Sequence, residues 1–182
     1  VKLDVRFIEG KAAKVVDINI IGNKHFTDKQ IKDAFAVKET SWANLISKSD
    51  RYAKEKLAAS IENLKALYQN DGYVRFSVDN AVLNISEDKK SVFIEISLTE
   101  GEQYQFGEIS FLGEPKFDTK ELANLATFAA NDQYSQAKLD ATTAALKSRY
   151  GNEGYYLAQI RPVPRIDDET RVVAIDYYID PV

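Results

Sequence analysis

The chain has no cysteine and no methionine, one histidine, one tryptophan and four prolines in 182 residues. Without cysteine there is no disulfide, no thiolate metal site and no cysteine nucleophile. An oxidising compartment is permitted by this but not required. Methionine is absent even at position 1, so the chain is expected to be a fragment or a processed piece of something longer. No apolar run approaches the ~20 residues of a membrane-spanning helix. Positive charge is not in excess either: 24 Lys and Arg against 28 Asp and Glu leave a formal charge of −4. That balance argues against nucleic acid or an anionic membrane surface as the main partner.

Catalytic groupings are missing as well. His25, the one histidine, has no second histidine or cysteine to work with and is read as a solvated turn residue. The acidic neighbours Glu87–Asp88 and Asp167–Glu169 fall in hairpin turns, where turn geometry and solubility account for them. No phosphate-binding glycine loop occurs. The chain is therefore expected to be no enzyme and to bind neither cofactor nor metal.

What is present is an ordinary globular composition, 45% apolar and 29% charged, and a stretch that occurs twice. Leu57 to Phe76, LAASIENLKALYQNDGYVRF, returns at Leu139 as LDATTAALKSRYGNEGYYLA. Leu57, Leu64, Tyr68, Asn70, Gly72 and Tyr73 reappear as Leu139, Leu146, Tyr150, Asn152, Gly154 and Tyr155. Leu57, Ile61, Leu64 and Tyr68 draw one apolar stripe at helical spacing, which predicts an α-helix. Gly72 and Gly154 stand where a helix stop needs positive φ, and an alternating strand pattern follows each.

Around this motif each half predicts the same elements. Val16, Ile18 and Ile20 make a first strand ending at Gly22, matched by Gly107 to Gly113. Thr27 with Gln30, and Asp118 with Glu121, have capping-box spacing, so short helices should begin there. After the long helix, Val78 and Ala81 change parity at Asp79 and Asn80, the mark of a β-bulge, and Ile160 with Val163 repeats the slip. Last come the strands Val92 to Leu98 and Val173 to Ile179. The fold class is α+β: two tandem β-α-α-β-β domains, each a three-stranded mixed sheet covered on one face by two helices, with the last strand in the centre. Residues 11–101 and 102–182 are the two domains. Residues 1–10 match Val92 to Gly101 and are read as the tail strand of a preceding repeat.

The first half holds an insert between its helices that the second lacks. Trp42, Leu45 and Ile46 in it are read as folding back over the helix pair, with a partner-docking loop through Trp42 and Leu45 as the alternative. The second strand of each half lies at a sheet edge, a template for an incoming strand. Pro162 and Pro164 remove two outward donors in the second half, whereas the corresponding Asn80 and Val82 keep their N–H groups. The candidate partner-binding edge is thus Arg75, Phe76, Ser77, Val78, Asp79, Asn80, Ala81, Val82 and Leu83. Gly22, Gly72, Gly113 and Gly154 are assigned structural roles. A KH-like nucleic-acid module is the rival fold, but its glycine-rich loop belongs between the helices, where neither half has a glycine.

The strand ending Ile21-Gly22-Asn23 with Phe26-Thr27 after it, the YQNDGY motif of Tyr68 to Tyr73, and the Thr99-Glu100-Gly101 junction resemble the POTRA (polypeptide-transport-associated) domains of outer-membrane barrel assembly factors. The resemblance covers the whole chain, and the insert with Trp42 and the bulged strand are most similar to the third and fourth domains of such an array. In the second half Glu114-Pro115 departs from Asn23-Lys24. The resemblance implies a non-enzymatic scaffold on the periplasmic side of the outer membrane of a Gram-negative bacterium. Its partners would be unfolded outer-membrane protein segments and accessory lipoproteins. No direct membrane insertion by this fragment is expected, and a membrane barrel is expected in the parent chain. A POTRA array of a different secretion or translocation system is the alternative.

Overall fold

The computed structural model describes residues 2–6, 15–35, 50–87 and 91–182, with side chains at 17–35, 54–87 and 91–182. Trp42 and Leu45 lie outside the described residues. By contacts the chain divides into two units, Val1–Tyr68 with Arg75–Gly101, and Gln69–Val74 with Glu102–Val182.

Unit one runs β1 (Lys2–Arg6), β2 (Val15–Ile21), α1 (Asp28–Ala34), α2 (Asp50–Asn70), β3 (Ser77–Ile85) and β4 (Ser91–Thr99). α1 starts at a complete capping box: Thr27 Oγ1 accepts from Gln30 N at 3.3 Å and Gln30 Oε1 accepts from Thr27 N at 2.9 Å, satisfying two otherwise orphaned donors. The helix stripe Leu57, Ile61, Leu64 and Tyr68 is buried, as are Ile31 and Phe35. So is one face of β4, Val92, Ile94, Ile96 and Leu98. β4 is central, parallel to β2 and antiparallel to β3, which the direction of each element requires. A register shift between Val78 and Asn80 leaves Asp79 as an extra residue. This bulge lets Val78 and Ala81 both face the core. Asp79 is held there by hydroxyl donors from Ser77 at 2.9 Å and Thr99 at 2.6 Å.

β1, read as the tail strand of a preceding repeat, joins the sheet of unit one. It pairs in parallel with the outer edge of β3, from Lys2 opposite Asn80 to Arg6 opposite Asn84. The three-stranded mixed sheet of the fold is thereby extended to β1-β3-β4-β2.

Unit two runs β5 (Gln105–Gly113), α3 (Thr119–Ala123), α4 (Gln136–Asn152), β6 (Gln159–Asp167) and β7 (Val172–Asp180), in the sheet order β5-β7-β6. Its core joins Leu139, Leu146 and Tyr150 of α4 to Val173, Ile175, Tyr177 and Ile179 of β7. Phe106 stacks on Phe128 with ring centroids 3.7 Å apart and lies tilted against Tyr134, so the connection between the helices also contributes core. α4 ends in a Schellman motif. Gly154 N donates to Gly151 O at 3.0 Å and Tyr155 N to Tyr150 O at 3.1 Å, with Gly154 at φ +90°, the arrangement that satisfies the last carbonyls.

The expected slip in β6 is not there. β6 pairs with β7 without a break from Gln159 to Asp167, and the bulge of this unit is on β5, between Phe106 and Ile109. Val163 is 41% exposed, opposite Asp176 on the outer face. Beyond Ile160 only Pro162 is even partly buried in β6, so no core imposes a period on the strand there.

Candidate functional site

The edge predicted to accept a strand is β3, and its geometry follows from the central strands. In unit two the ladder runs unbroken through Pro162 opposite Tyr177 and Pro164 opposite Ile175. A proline nitrogen has no hydrogen to give β7, so these are non-hydrogen-bonded pairs and both nitrogens face the outer edge. Tyr177 and Ile175 correspond to Ile96 and Ile94, which face Ala81 and Leu83. The outward donors of β3 therefore belong to Ala81 and Leu83. Asn80 and Val82, assigned that role on sequence offset, turn their N–H groups towards β4 instead. The bulge at Asp79 causes the difference, because it adds one residue to β3 that β6 does not have.

The nine predicted edge residues separate accordingly. Arg75 and Phe76 precede β3. Phe76 is a core residue, stacked on Tyr68 at 4.2 Å between centroids. Ser77, Val78 and Asp79 form the approach to the bulge. Asn80, Ala81, Val82 and Leu83 pair with β1, and Asn84 joins them. The side chains of Val78, Ala81 and Leu83 are buried, so an added strand meets their backbone only.

Sequence reasoning passed over the carboxylate that anchors this unit. Glu100, at the end of β4, accepts through Oε1 from Lys24 N at 2.7 Å, His25 N at 2.9 Å and the Tyr68 hydroxyl at 2.7 Å. It is 9% exposed. Burial alone would raise its pKa, but the two backbone donors, the Tyr68 hydroxyl and the nearby His25 together outweigh burial and hold it below the ordinary carboxylate value. One residue thus ties the turn after β2, the end of α2 and the end of β4 together. The recurrence of Glu-Gly at residues 9–10 and 100–101 was the available signal.

The strand-end glycines meet a harder constraint than flexibility. Gly22 has φ +101° and Gly113 φ +85°, and a Cβ at either would stand 2.2 Å from Leu98 O or 2.4 Å from Ile179 O. The chain turns at these points against the backbone of the central strand, where no side chain fits. Gly72, at φ +92°, has Tyr104 O at 3.2 Å from a Cβ position, while Gly154 has nothing within 4 Å.

Among the described residues no group of three or more His, Asp or Glu side chains could hold a metal ion. No described helix is long and apolar enough to cross a membrane, which says nothing of a β-barrel. The fold defines the class: tandem repeats in which two helices cover one face of a three-stranded mixed sheet. The chain belongs to the POTRA family, whose model, described as surface antigen variable number repeat, matches residues 13–101 and 104–181. It is 28% identical over its whole length to the outer membrane protein assembly factor BamA of Neisseria meningitidis serogroup B, covering 23% of that protein. To the BamA of Buchnera aphidicola it is 29% identical over 99% of this chain and 29% of that one. The chain thus spans about a quarter of the length of the curated relatives it matches. In fold it is similar to the crystal structure of Haemophilus influenzae BamA POTRA3-5, with a TM-score of 0.76 at 20% identity over 93% of this chain and 66% of that one. A second likeness of fold is to BamA from Haemophilus ducreyi lacking POTRA domains 1-3, with a TM-score of 0.64 at 17% identity, over 92% of this chain and 29% of that one.

Proposed function

We propose that this chain is part of a periplasmic scaffold for outer-membrane protein assembly, and that unit one takes up segments of unfolded barrel precursors by strand addition at β3. The observation that carries the reading is β1. This strand lies along Asn80 to Asn84 in continuous register, as an incoming strand would. Unit two carries Pro162 and Pro164 on the equivalent edge and serves as spacer and as docking surface for accessory lipoproteins. Residues 11–101 and 102–182 are its two domains, and the parent chain continues to a membrane barrel. Identity with BamA proteins along the whole chain supports the setting.

Titration of the isotopically labelled protein with unlabelled peptides of alternating apolar and polar residues, followed by NMR, tests the reading. With residues 1–10 removed, shifts should concentrate at Asn80 to Asn84 and be absent from β6. Absence of binding at millimolar peptide, or equal binding at both edges, overturns it.

A further inference from the structure

Helices cover one face of the unit-two sheet and leave the other open. On the open face Arg161 lies opposite Tyr178, and Asp167 opposite Val172. These two rows are the same number of residues from the row Pro164–Ile175, in opposite directions along β7. Tyr178, the aromatic of this face, is 42% exposed. Towards the other end a hollow of about 340 Å³ is lined by Arg165, Asp167, Thr170, Val172 and Ala174. Unit one reverses the two sizes, with Phe93 at the place of Ala174 and Ser97 at the place of Tyr178.

The charges follow the same pattern. Arg161 makes no hydrogen bond or ion pair among the described residues. Asp167 Oδ1 accepts from Glu169 N at 2.9 Å and Thr170 N at 3.2 Å. The N–H and hydroxyl of Thr170, with the N–H of Glu169, hold this carboxyl below its ordinary pKa, so Asp167 is charged at neutral pH. Between the two rows Arg165 donates to both oxygens of Asp176, at 2.7 and 3.2 Å. Covering the face therefore leaves no charge there without its partner.

We propose that the open face of unit two is a self-complementary interface on which a second copy of the chain docks, related to the first by a two-fold axis over the Pro164–Ile175 row. Tyr178 of each copy then lies on Val172 at the hollow of the other, and Arg161 of each meets the other's Asp167. One axis gives both contacts, which is the reciprocal relation a two-fold interface needs. β7 is central and β6 an edge, so the aromatic contact falls in the middle of the patch and the ion pairs at its rim. A face three strands wide is smaller than the ~800 Å² per partner of a standard interface, and the association is correspondingly weak. Neither sheet edge takes part.

Sedimentation velocity of the 182-residue chain from ~10 μM to ~1 mM, the range in which so small an interface forms, tests the proposal. The sedimentation coefficient should rise with concentration, and Tyr178→Ser should remove the rise. Arg161→Asp alone and Asp167→Arg alone should each weaken association by about tenfold, because like charges then meet at both rims. An equimolar mixture of these two variants should recover it, since each copy presents the charge the other lacks. Tyr178 and Arg161 lie outside the hairpin turn, so their variants keep the test open where Asp167→Arg disturbs that turn. A monomer at every concentration overturns the proposal. So does association that Arg161→Asp leaves unchanged, or a mixture of folded variants that associates no better than its components.

Discussion

The Tyr68 hydroxyl donates to Glu100 Oε1 at 2.7 Å, whereas the hydroxyl of Tyr150, its repeat counterpart, accepts from Lys116 N at 3.1 Å. The same aromatic position therefore serves a buried carboxylate in unit one and a backbone amide in unit two, where Pro181 stands at the place of Glu100. Hydrogen bonds to a charged group contribute about 1.5–3 kcal/mol and neutral ones about 0.5–1.5 kcal/mol. Tyr68→Phe should accordingly destabilise unit one by more than Tyr150→Phe destabilises unit two, measured by urea unfolding with probes in each. Equal losses would show that the carboxylate adds nothing.

Glu100 also makes unit one acid-sensitive. Its folded pKa lies below the ordinary value of 4.5, so the stability it contributes is fully present above that pH. It is lost as pH falls through the lower, folded value, after which both states bind the proton. Glu100→Gln should flatten this part of the stability profile below pH 4.5 while lowering stability at pH 7. A profile with the same acid limb in the variant would assign the limb to other carboxylates.

Replacing glycines should rank by what surrounds them. Gly154→Ala meets open space, so only the positive φ costs, about 1–2 kcal/mol. Gly22→Ala and Gly113→Ala add a Cβ 2.2 Å and 2.4 Å from a carbonyl oxygen of the central strand, and each should unfold its own unit at markedly lower denaturant than Gly154→Ala does. Thermal scans of the three variants give the order directly.

Proline scanning of β3 distinguishes its two sides. Asn80→Pro or Val82→Pro removes a ladder donor to β4 and leaves its acceptor unpaired, which should cost about 1–3 kcal/mol. Ala81→Pro matches Pro162 of unit two, so the hairpin should survive and strand addition at the edge should fall. Pairing by β1 offers an internal gauge, since its loss would speed amide exchange at Leu83, whose N–H faces outward, and not at Asn80 or Val82. An Ala81→Pro protein that unfolds while the Asn80→Pro protein does not would reverse the assignment of donors.

Element order and the central position of β4 and β7 were legible because the chain states them twice and direction leaves one arrangement. The bulge at Asp79 was legible because core lies on both sides of it, at Val78 and Ala81. At Val163 the same argument fails, since no core covers that part of β6. The donor assignment at Asn80 and Val82 missed by one residue for a reason the numbering contains. Val78 matches Ile160 at an offset of 82, whereas Val92 matches Val173 at 81, and the residue lost between them is the bulge. Where β1 would settle was not legible, because an alternating strand carries no label for the sheet it joins. Glu100 was missed because the recurring Glu-Gly marks a junction without telling whether its carboxylate is solvated or surrounded by donors.

The bulge at Asp79 also sets a length. Pairing with β1 begins just past it, at Asn80, and ends at Asn84, about 17 Å of strand at ~3.3 Å per residue. Within that span the outward donors are those of Ala81 and Leu83, so a single strand added there gains few backbone hydrogen bonds. On the proposed function, a precursor with one alternating segment would leave quickly, and one with many would rebind before it diffused away, because each further segment raises the local concentration at the same short edge. The edge would then sort clients by how many strands they have still to pair, with little regard for what those strands spell.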